Sequence, residues 1–342
     1  MTFNEFPPTS KSDWLNDVKK LSKGADVAHL LHYEPIPGVK VPAYSTCEDA
    51  FEKVEIVTEK QLPFKVCLPI DLNHKDWAEV IHSGVDSIAL NDVLLIPEWL
   101  HFKEVHVRME ESEIQKLSLL EHQQAGGSIC IKPGKDWDDY LSKITPLVNK
   151  PISGWRNLGI DIPADKNEVE QLEFAFSMAN LFLRAREKPD TNSLRTEDIF
   201  FRMPLGSDFY MNLAKLRALK QGWYNLMSAY YLPMTEPFII AETPNMNVLE
   251  KEMEQNLIVS TTLAFAAISG GASLFLINGL ETLNNQSPDF ALRMVRNIQL
   301  ILKEESFTDS VSDPSKGSYF IENLTKELAE KAWEKFIEKQ TD

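Results

Sequence analysis

Short apolar runs alternate with longer amphipathic ones from Pro63 to about Lys303, and this alternation limits the possible folds more than any other feature of the chain. Strands buried on both faces are near-continuous apolar runs, and the helices that cover them carry apolar residues every three or four positions. The predicted strands of the first half are Phe64–Ile70, Val85–Leu90, Glu104–Arg108 and Ser128–Lys132. Among them fall predicted helices at about Lys75–Ser83, Ser112–Gln124 and Trp137–Val148, with a short apolar segment near Pro97–Leu100 after the second strand. The second half adds strands at Trp155–Ile162, Ile199–Met203, Phe238–Glu242 and Ser273–Ile277. Their helices are predicted at Glu168–Arg186, Asp208–Tyr230, Met246–Ile268 and Pro288–Lys303. Strand and helix in strict alternation predict a parallel sheet covered by helices. Eight units in about 250 residues match the usual size of a (β/α)8 barrel, with a doubly wound sheet as the alternative.

Composition narrows the classes of function. The 342 residues carry 35 Lys+Arg against 51 Asp+Glu, a formal net charge of -16. Such a chain repels a phosphate backbone unless its basic residues cluster, and the sequence contains no such cluster, so nucleic acid is not an expected partner. Cys47, Cys67 and Cys130 are far apart and outside any Cys-x-x-Cys pattern, and Met1-Thr-Phe-Asn-Glu-Phe-Pro-Pro8 lacks the basic flank and apolar stretch of a signal peptide. A reduced cytoplasmic protein with buried thiols is the expectation. The uncharged run Leu257–Ile277 is long enough to span a bilayer, but Gly270-Gly271 divides it into a helix end and a short strand, so no membrane segment is expected.

In a barrel, chemistry sits at the carboxyl ends of the strands. Asp71, Asp92, Lys132, Asp161, Arg202, Glu242 and Asn278 fall there. Asp161, Arg202, Glu242 and Asn278 are the candidates for substrate binding, because two carboxylates flanking an arginine can hold and polarise a small acid or a thioester. Polar caps at strand ends and helix starts account for the same residues without any substrate. All seven histidines (His29, His32, His74, His82, His101, His106 and His122) precede strand five, so no histidine acid or base comes from the last four strands. No metal-ligand spacing is present, and His106, inside a strand, is expected to be structural. Gly126-Gly127 and Gly270-Gly271 precede strands, whereas a phosphate-binding loop follows one. Leu205-Gly-Ser-Asp208 does follow a strand and open a helix, which offers an N-terminal dipole to an anion.

Several motifs carry a family resemblance. Leu205-Gly-Ser-Asp-Phe-Tyr-Met-Asn-Leu-Ala-Lys-Leu-Arg-Ala218 resembles the strand-six loop and helix of the adenosylcobalamin-dependent methylmalonyl-CoA mutases. Asn297-Ile-Gln-Leu-Ile-Leu-Lys-Glu-Glu305 and the long tail Asp313-Pro-Ser-Lys-Gly-Ser-Tyr-Phe-Ile-Glu-Asn-Leu-Thr-Lys-Glu-Leu-Ala-Glu-Lys-Ala-Trp333 are similar to the end of that barrel and the helix after it. Phe6-Pro-Pro-Thr-Ser-Lys-Ser-Asp-Trp14, Lys23-Gly-Ala-Asp26 and Gly38-Val-Lys-Val-Pro-Ala-Tyr44 are similar to the family's opening arm.

The resemblance implies an N-terminal extended arm for subunit contact over 1–60, a barrel over 61–305, and a C-terminal helix over 306–342 leading toward a cobalamin-binding domain that the chain does not include. In catalytic members the barrel encloses an acyl-CoA, and strand five ends in a Tyr-His pair before an Ala-Gly-Ala run. Here Gly159 and Ile160 stand at the pair, and Ala164-Asp165-Lys166 at the run. The family's Asp-x-His-x-x-Gly and its Thr-Ile-Arg-Gln-Tyr-like run are both missing. What the resemblance then implies is a non-catalytic small subunit in a cytoplasmic heterodimer of propionate metabolism. It would hold no catalytic, cofactor or metal residue, and the large subunit would carry the adenosylcobalamin. Two alternatives stand beside it: an enzyme acting on an acyl-CoA or small acid through the polar strand ends, and a mutase barrel working with a separate cobalamin domain.

Overall fold

A computed structural model describes residues 9–23, 31–46, 49, 63–70, 84–90, 104–122, 126–133, 137–186, 195–243, 253–278 and 288–341. The helix expected at 75–83, the segment at 97–100, Asp71, Asp92 and His101 lie outside these residues.

The N-terminal arm, expected to be extended, opens in its described part with a helix. Ser10 and Asp13 form a reciprocal capping box, which starts helix α1 (Lys11–Leu21). An antiparallel hairpin follows, β1 (His32–Ile36) with β2 (Val39–Pro42).

Among the described residues, nine parallel strands make up the body. One sheet has the order β3 (Cys67–Pro69), β4 (Ser87–Leu90), β5 (Glu104–Glu110), β6 (Gly126–Lys132), β7 (Trp155–Arg156). The other runs β8 (Leu158–Asp161), β9 (Ile199–Pro204), β10 (Phe238–Glu242), β11 (Leu274–Leu276). Strand five of the sequence reading is thus two pieces. Asn157 divides them: its side chain accepts from Ile152 N (2.9 Å) and donates to Trp155 O (2.8 Å). Before Asn157 the chain pairs with β6, and after it with β9. At the other edges Lys65 forms a parallel bridge with Leu274, and its N–H donates to Ser273 O at 2.9 Å. This isolated bridge links β11 to the segment just before β3.

Among the described residues these strands are accompanied by α2 (Trp137–Asn149), α3 (Glu168–Arg186), α4 (Phe209–Ala229), α5 (Met253–Ser269), α6 (Pro288–Leu300) and α7 (Tyr319–Thr341). The helix expected at Ser112–Gln124 is a 3₁₀ run, Glu111–His122. Its inward residues Ile114, Leu117 and Leu120 are spaced by three, the 3₁₀ repeat, so packing favours the tighter turn. α6 gives way to a π turn at Ile301–Glu305. The uncharged run after Leu257 is broken where Gly271, at φ 79°, turns the chain from α5 into β11. No helix among the described residues is long and apolar enough to cross a membrane.

Apolar side chains separate with the period of two that strands impose. Val66, Leu68, Ile88, Val107, Ile129, Ile160, Phe201, Ile239 and Phe275 join the core beneath the helices. Cys67, Ala89, Cys130, Phe200, Phe238, Ile240, Leu274 and Leu276 form a second core on the opposite, inner side. Both cysteines there are buried free thiols.

The tail motif fastens α7 to this body. Arg217 of α4, 2% exposed along its side chain, reaches Asp313 (3.0 Å) and Glu322 (2.8 Å), and donates to Thr325 Oγ1 at 2.9 Å. Glu322 also accepts from Gly317 N, and Asp313 from Ser315 Oγ, so the turn before α7 is built around one guanidinium. Further along, Trp333 and Phe336 meet Phe176 of α3 edge-on.

Candidate functional site at the carboxyl ends of the strands

Continuing the inner alternation by one more step reaches the ends of the strands. Two beyond His106 is Arg108, two beyond Gly159 is Asp161, and Phe200, Ile240 and Leu276 lead to Arg202, Glu242 and Asn278. The strands bring these five together. Arg108 grips Asp161 with two donors, at 2.8 and 3.2 Å. Arg202 donates to Glu242 at 2.6 Å, while Arg108 stands 3.7 Å from Glu242 and Arg202 stands 4.0 Å from Asp161. Burial works to raise the Glu242 carboxyl, but Arg202, Arg108 and a hydrogen bond from Asn278 hold it below its usual value.

Sequence reasoning gathered Asp161, Arg202, Glu242 and Asn278, and missed Arg108. The signal was available: Glu104, His106 and Arg108 alternate along one strand, and only the last sits at its carboxyl end. Lys132 does not join the group. It is half exposed and pairs with Glu110 at 3.2 Å.

Two guanidinium groups and two carboxylates neutralise one another, so the ring offers a ligand little uncompensated charge. Breaking such a pair to seat a substrate would strand a buried charge, at a cost of about 3–5 kcal/mol. The charges are spent on each other, with the buried Arg202 Nε left without a hydrogen bond, 4.0 Å from Asp161.

Below the ring the inner side is filled. Phe200, Phe238, Ile240, Leu274 and Leu276 are all at most 4% exposed. Gly159 shows how tightly: a Cβ there would lie 2.5 Å from Phe200 Cζ and 2.7 Å from Cys130 Cβ. The Phe200 ring therefore occupies the space that a side chain at residue 159 would need. Ile160, the next residue, points to the helix-side core. Neither position can aim a polar group at a bound thioester.

A third inner layer lies toward the amino ends of the strands. His106 is fully buried, its Nδ1 2.9 Å from Ser128 Oγ. Burial, reinforced by Arg156 and Lys65, pushes its pKa well below the usual value, so the ring is neutral. Arg156 stacks on Phe238 at 4.0 Å. A structural histidine is what the sequence indicated. No group of three His, Cys, Asp or Glu side chains among the described residues could hold a metal ion.

The Leu205–Asp208 turn does not serve an anion. Asp208 caps α4 through Met211 N (3.0 Å), Asn212 bonds Gly206 through both its amide atoms (2.8 and 2.9 Å), and Tyr33 of the N-terminal hairpin donates to Asp208. The helix dipole is met by the chain's own carboxylate. Lys215, fully buried and pushed down to about 8 by desolvation, holds Pro204 O (2.5 Å) and Gln171 (2.8 Å), which fixes the end of β9 that carries Arg202.

The fold and ring define a parallel α/β protein with a packed inner side and self-paired polar groups where such proteins keep their active sites. Residues 165–341, just over half of the chain, match the family model described as methylmalonyl-CoA mutase, and the chain belongs to that family. It is 24% identical over 394 aligned residues to the methylmalonyl-CoA mutase small subunit of Porphyromonas gingivalis, covering 98% of this chain and 63% of that protein. It is 30% identical over 203 residues to the methylmalonyl-CoA mutase of Cereibacter sphaeroides, covering 57% of this chain and 28% of that one. The chain thus spans less than two thirds of the length of either relative. Among solved structures, the dihydropteroate synthase of Yersinia pestis aligns with a TM-score of 0.39 and 13% identity over 78% of this chain and 98% of that one.

Proposed function

We propose that the chain is a non-catalytic small subunit of an adenosylcobalamin-dependent methylmalonyl-CoA mutase, and that its two sheets form one (β/α)8 barrel. It supports a catalytic large subunit that interconverts methylmalonyl-CoA and succinyl-CoA. The observation that carries this reading is the filled inner side at Gly159 and Phe200, capped by the Arg108–Asp161–Arg202–Glu242 ring. An acyl-CoA threaded along the strands would have to displace Phe200 and Phe238, and emptying the place of one buried phenylalanine costs about 3–5 kcal/mol.

Adenosylcobalamin does not fit the described residues either. Among the described residues the inner side of the strands carries one histidine, His106, which is fully buried toward their amino ends with Nδ1 on Ser128, and the ring at the carboxyl ends holds only arginine, carboxylate and amide groups. The cofactor belongs on the large subunit. Parallel pairing supports the barrel, since the Lys65–Leu274 bridge links β11 to the segment just before β3. For the test, the chain is tagged, co-expressed with the mutase large subunit of its own organism and captured. The expected result is a stoichiometric complex with mutase activity, while the chain alone shows no thermal shift with methylmalonyl-CoA or succinyl-CoA. A shift of several degrees on the isolated chain would instead favour a substrate-binding ring.

A further inference from the structure

The outward face of α5 is unusual for a chain of this charge. Ile258 (67% exposed), Thr261, Thr262 and Phe265 (43% exposed) stand at helical spacing along it. Both threonine hydroxyls turn back onto their own helix, Thr261 to Leu257 O at 2.7 Å and Thr262 to Ile258 O at 2.9 Å, so the stripe presents methyl groups. Aromatic rings extend it. Phe265 stacks on Phe209 (5.5 Å), Phe209 meets Tyr210 (5.5 Å), and Tyr210 meets Phe320 (5.4 Å). On the other flank the 308–310 turn packs against α5, and its neighbours Phe307 and Val311 are 63% and 57% exposed. Contiguous apolar surface of this kind marks an interaction site more often than a free surface.

We infer that this face seats a different polypeptide, one with an apolar centre and a basic rim. The charge around the stripe selects between occupants. Glu254 lies one turn before Ile258, and Glu304, Glu305 and Asp309 border the flank around Phe307, against Lys316 at the far end of the loop. Lys303 is shared between Asp86 at 2.9 Å and Glu304 at 4.0 Å, so it offsets this edge only in part. A second copy of the chain would set these acids against their own kind, whereas a basic rim on another chain would be attracted. This inference rests on the small-subunit reading and names the surface it uses, with the mutase large subunit as the occupant.

The experiment compares wild type with Ile258→Asp and Thr262→Arg, each co-expressed with the large subunit, and measures the dissociation constant by analytical ultracentrifugation. Met234→Asp, an exposed apolar position beyond the end of α4, is the control. We expect at least tenfold weaker pairing for Ile258→Asp and Thr262→Arg, wild-type pairing for the control, and unchanged circular dichroism and melting temperature in the isolated variants. Wild-type affinity in both α5 variants overturns the surface and leaves the small-subunit reading intact. If wild type itself does not pair, that reading falls and takes the partner with it. Self-association of wild type that Ile258→Asp abolishes would make the occupant a second copy and overturn the charge argument.

Discussion

Two buried clusters in this molecule use the same side chains for what look like different ends. Arg217 with Asp313 and Glu322 sits outside the sheets, between α4 and the turn before α7. Arg108, Asp161, Arg202 and Glu242 sit inside, at the strand ends where α/β proteins keep their chemistry. The first is plainly a fastener. The second has the composition of a substrate site, yet every charge in it faces an opposite charge of the same chain. Position in a fold indicates where chemistry could occur, and pairing decides whether groups are free to do it.

The largest expected effect lies at the fastener. Arg217→Ala leaves two carboxylates without their guanidinium and should cost about 3–5 kcal/mol in urea unfolding, with α7 released first in hydrogen exchange. A loss below about 1 kcal/mol would show that the aromatic contacts of Trp333 and Phe336 hold α7 on their own. At the ring, Arg202→Leu should cost about 3 kcal/mol, less than at Arg217 because Arg108 still stands 3.7 Å from Glu242. If the ring were a site, the same variant would lose ligand-induced stabilisation while keeping its own stability, so unfolding with and without acyl-CoA separates the cases.

Beneath the ring, Gly159→Ala should destabilise by about 1–3 kcal/mol, because the added methyl falls 2.5 Å from Phe200 Cζ. Adding Phe200→Leu should return most of that loss. A double-mutant cycle without coupling would mean that the inner side is looser than its contacts indicate.

The smallest effect is in pH. His106 is held neutral when folded, with Glu104, Lys65, Arg156 and Arg202 as the charged groups around it. Its folded pKa lies below the unfolded value near 6.5, so the unfolded chain binds the extra proton first as pH falls. Stability is full above about 6.5 and declines below it by up to about 1.4 kcal/mol per pH unit from this group. His106→Gln should flatten that part of the profile relative to wild type. Parallel profiles between pH 5 and 6.5 would remove His106 from the account.

Much of the architecture is legible in the residues. Strand and helix alternation places Glu168–Arg186 and Phe238–Glu242 to the residue, because a long amphipathic run and a short apolar one admit few other structures. Elsewhere the sequence misleads for identifiable reasons. Glu111–His122 has helix-forming residues, but its buried positions repeat every three, and packing outweighs propensity. The break at Asn157 depends on a side chain that replaces a backbone ladder, which no periodicity reveals. In the candidate site, four of the five residues could be found by asking which polar groups end a strand. Arg108 needed the inner alternation of β5, and the mutual pairing of all of them needed the distances.

The order of strands and helices, the acidic balance, the missing histidines of the second half and the family motifs belong to the sequence alone, because each is a matter of residue type and spacing. That the polar groups at the strand ends pair with one another was decided only by the tertiary structure. Asp161 and Arg108 lie 53 positions apart and Arg202 and Glu242 lie 40 apart, and charges cancel according to distance in space, not along the chain. The same holds for the tail motif, whose acids acquire their role from an arginine about a hundred residues earlier.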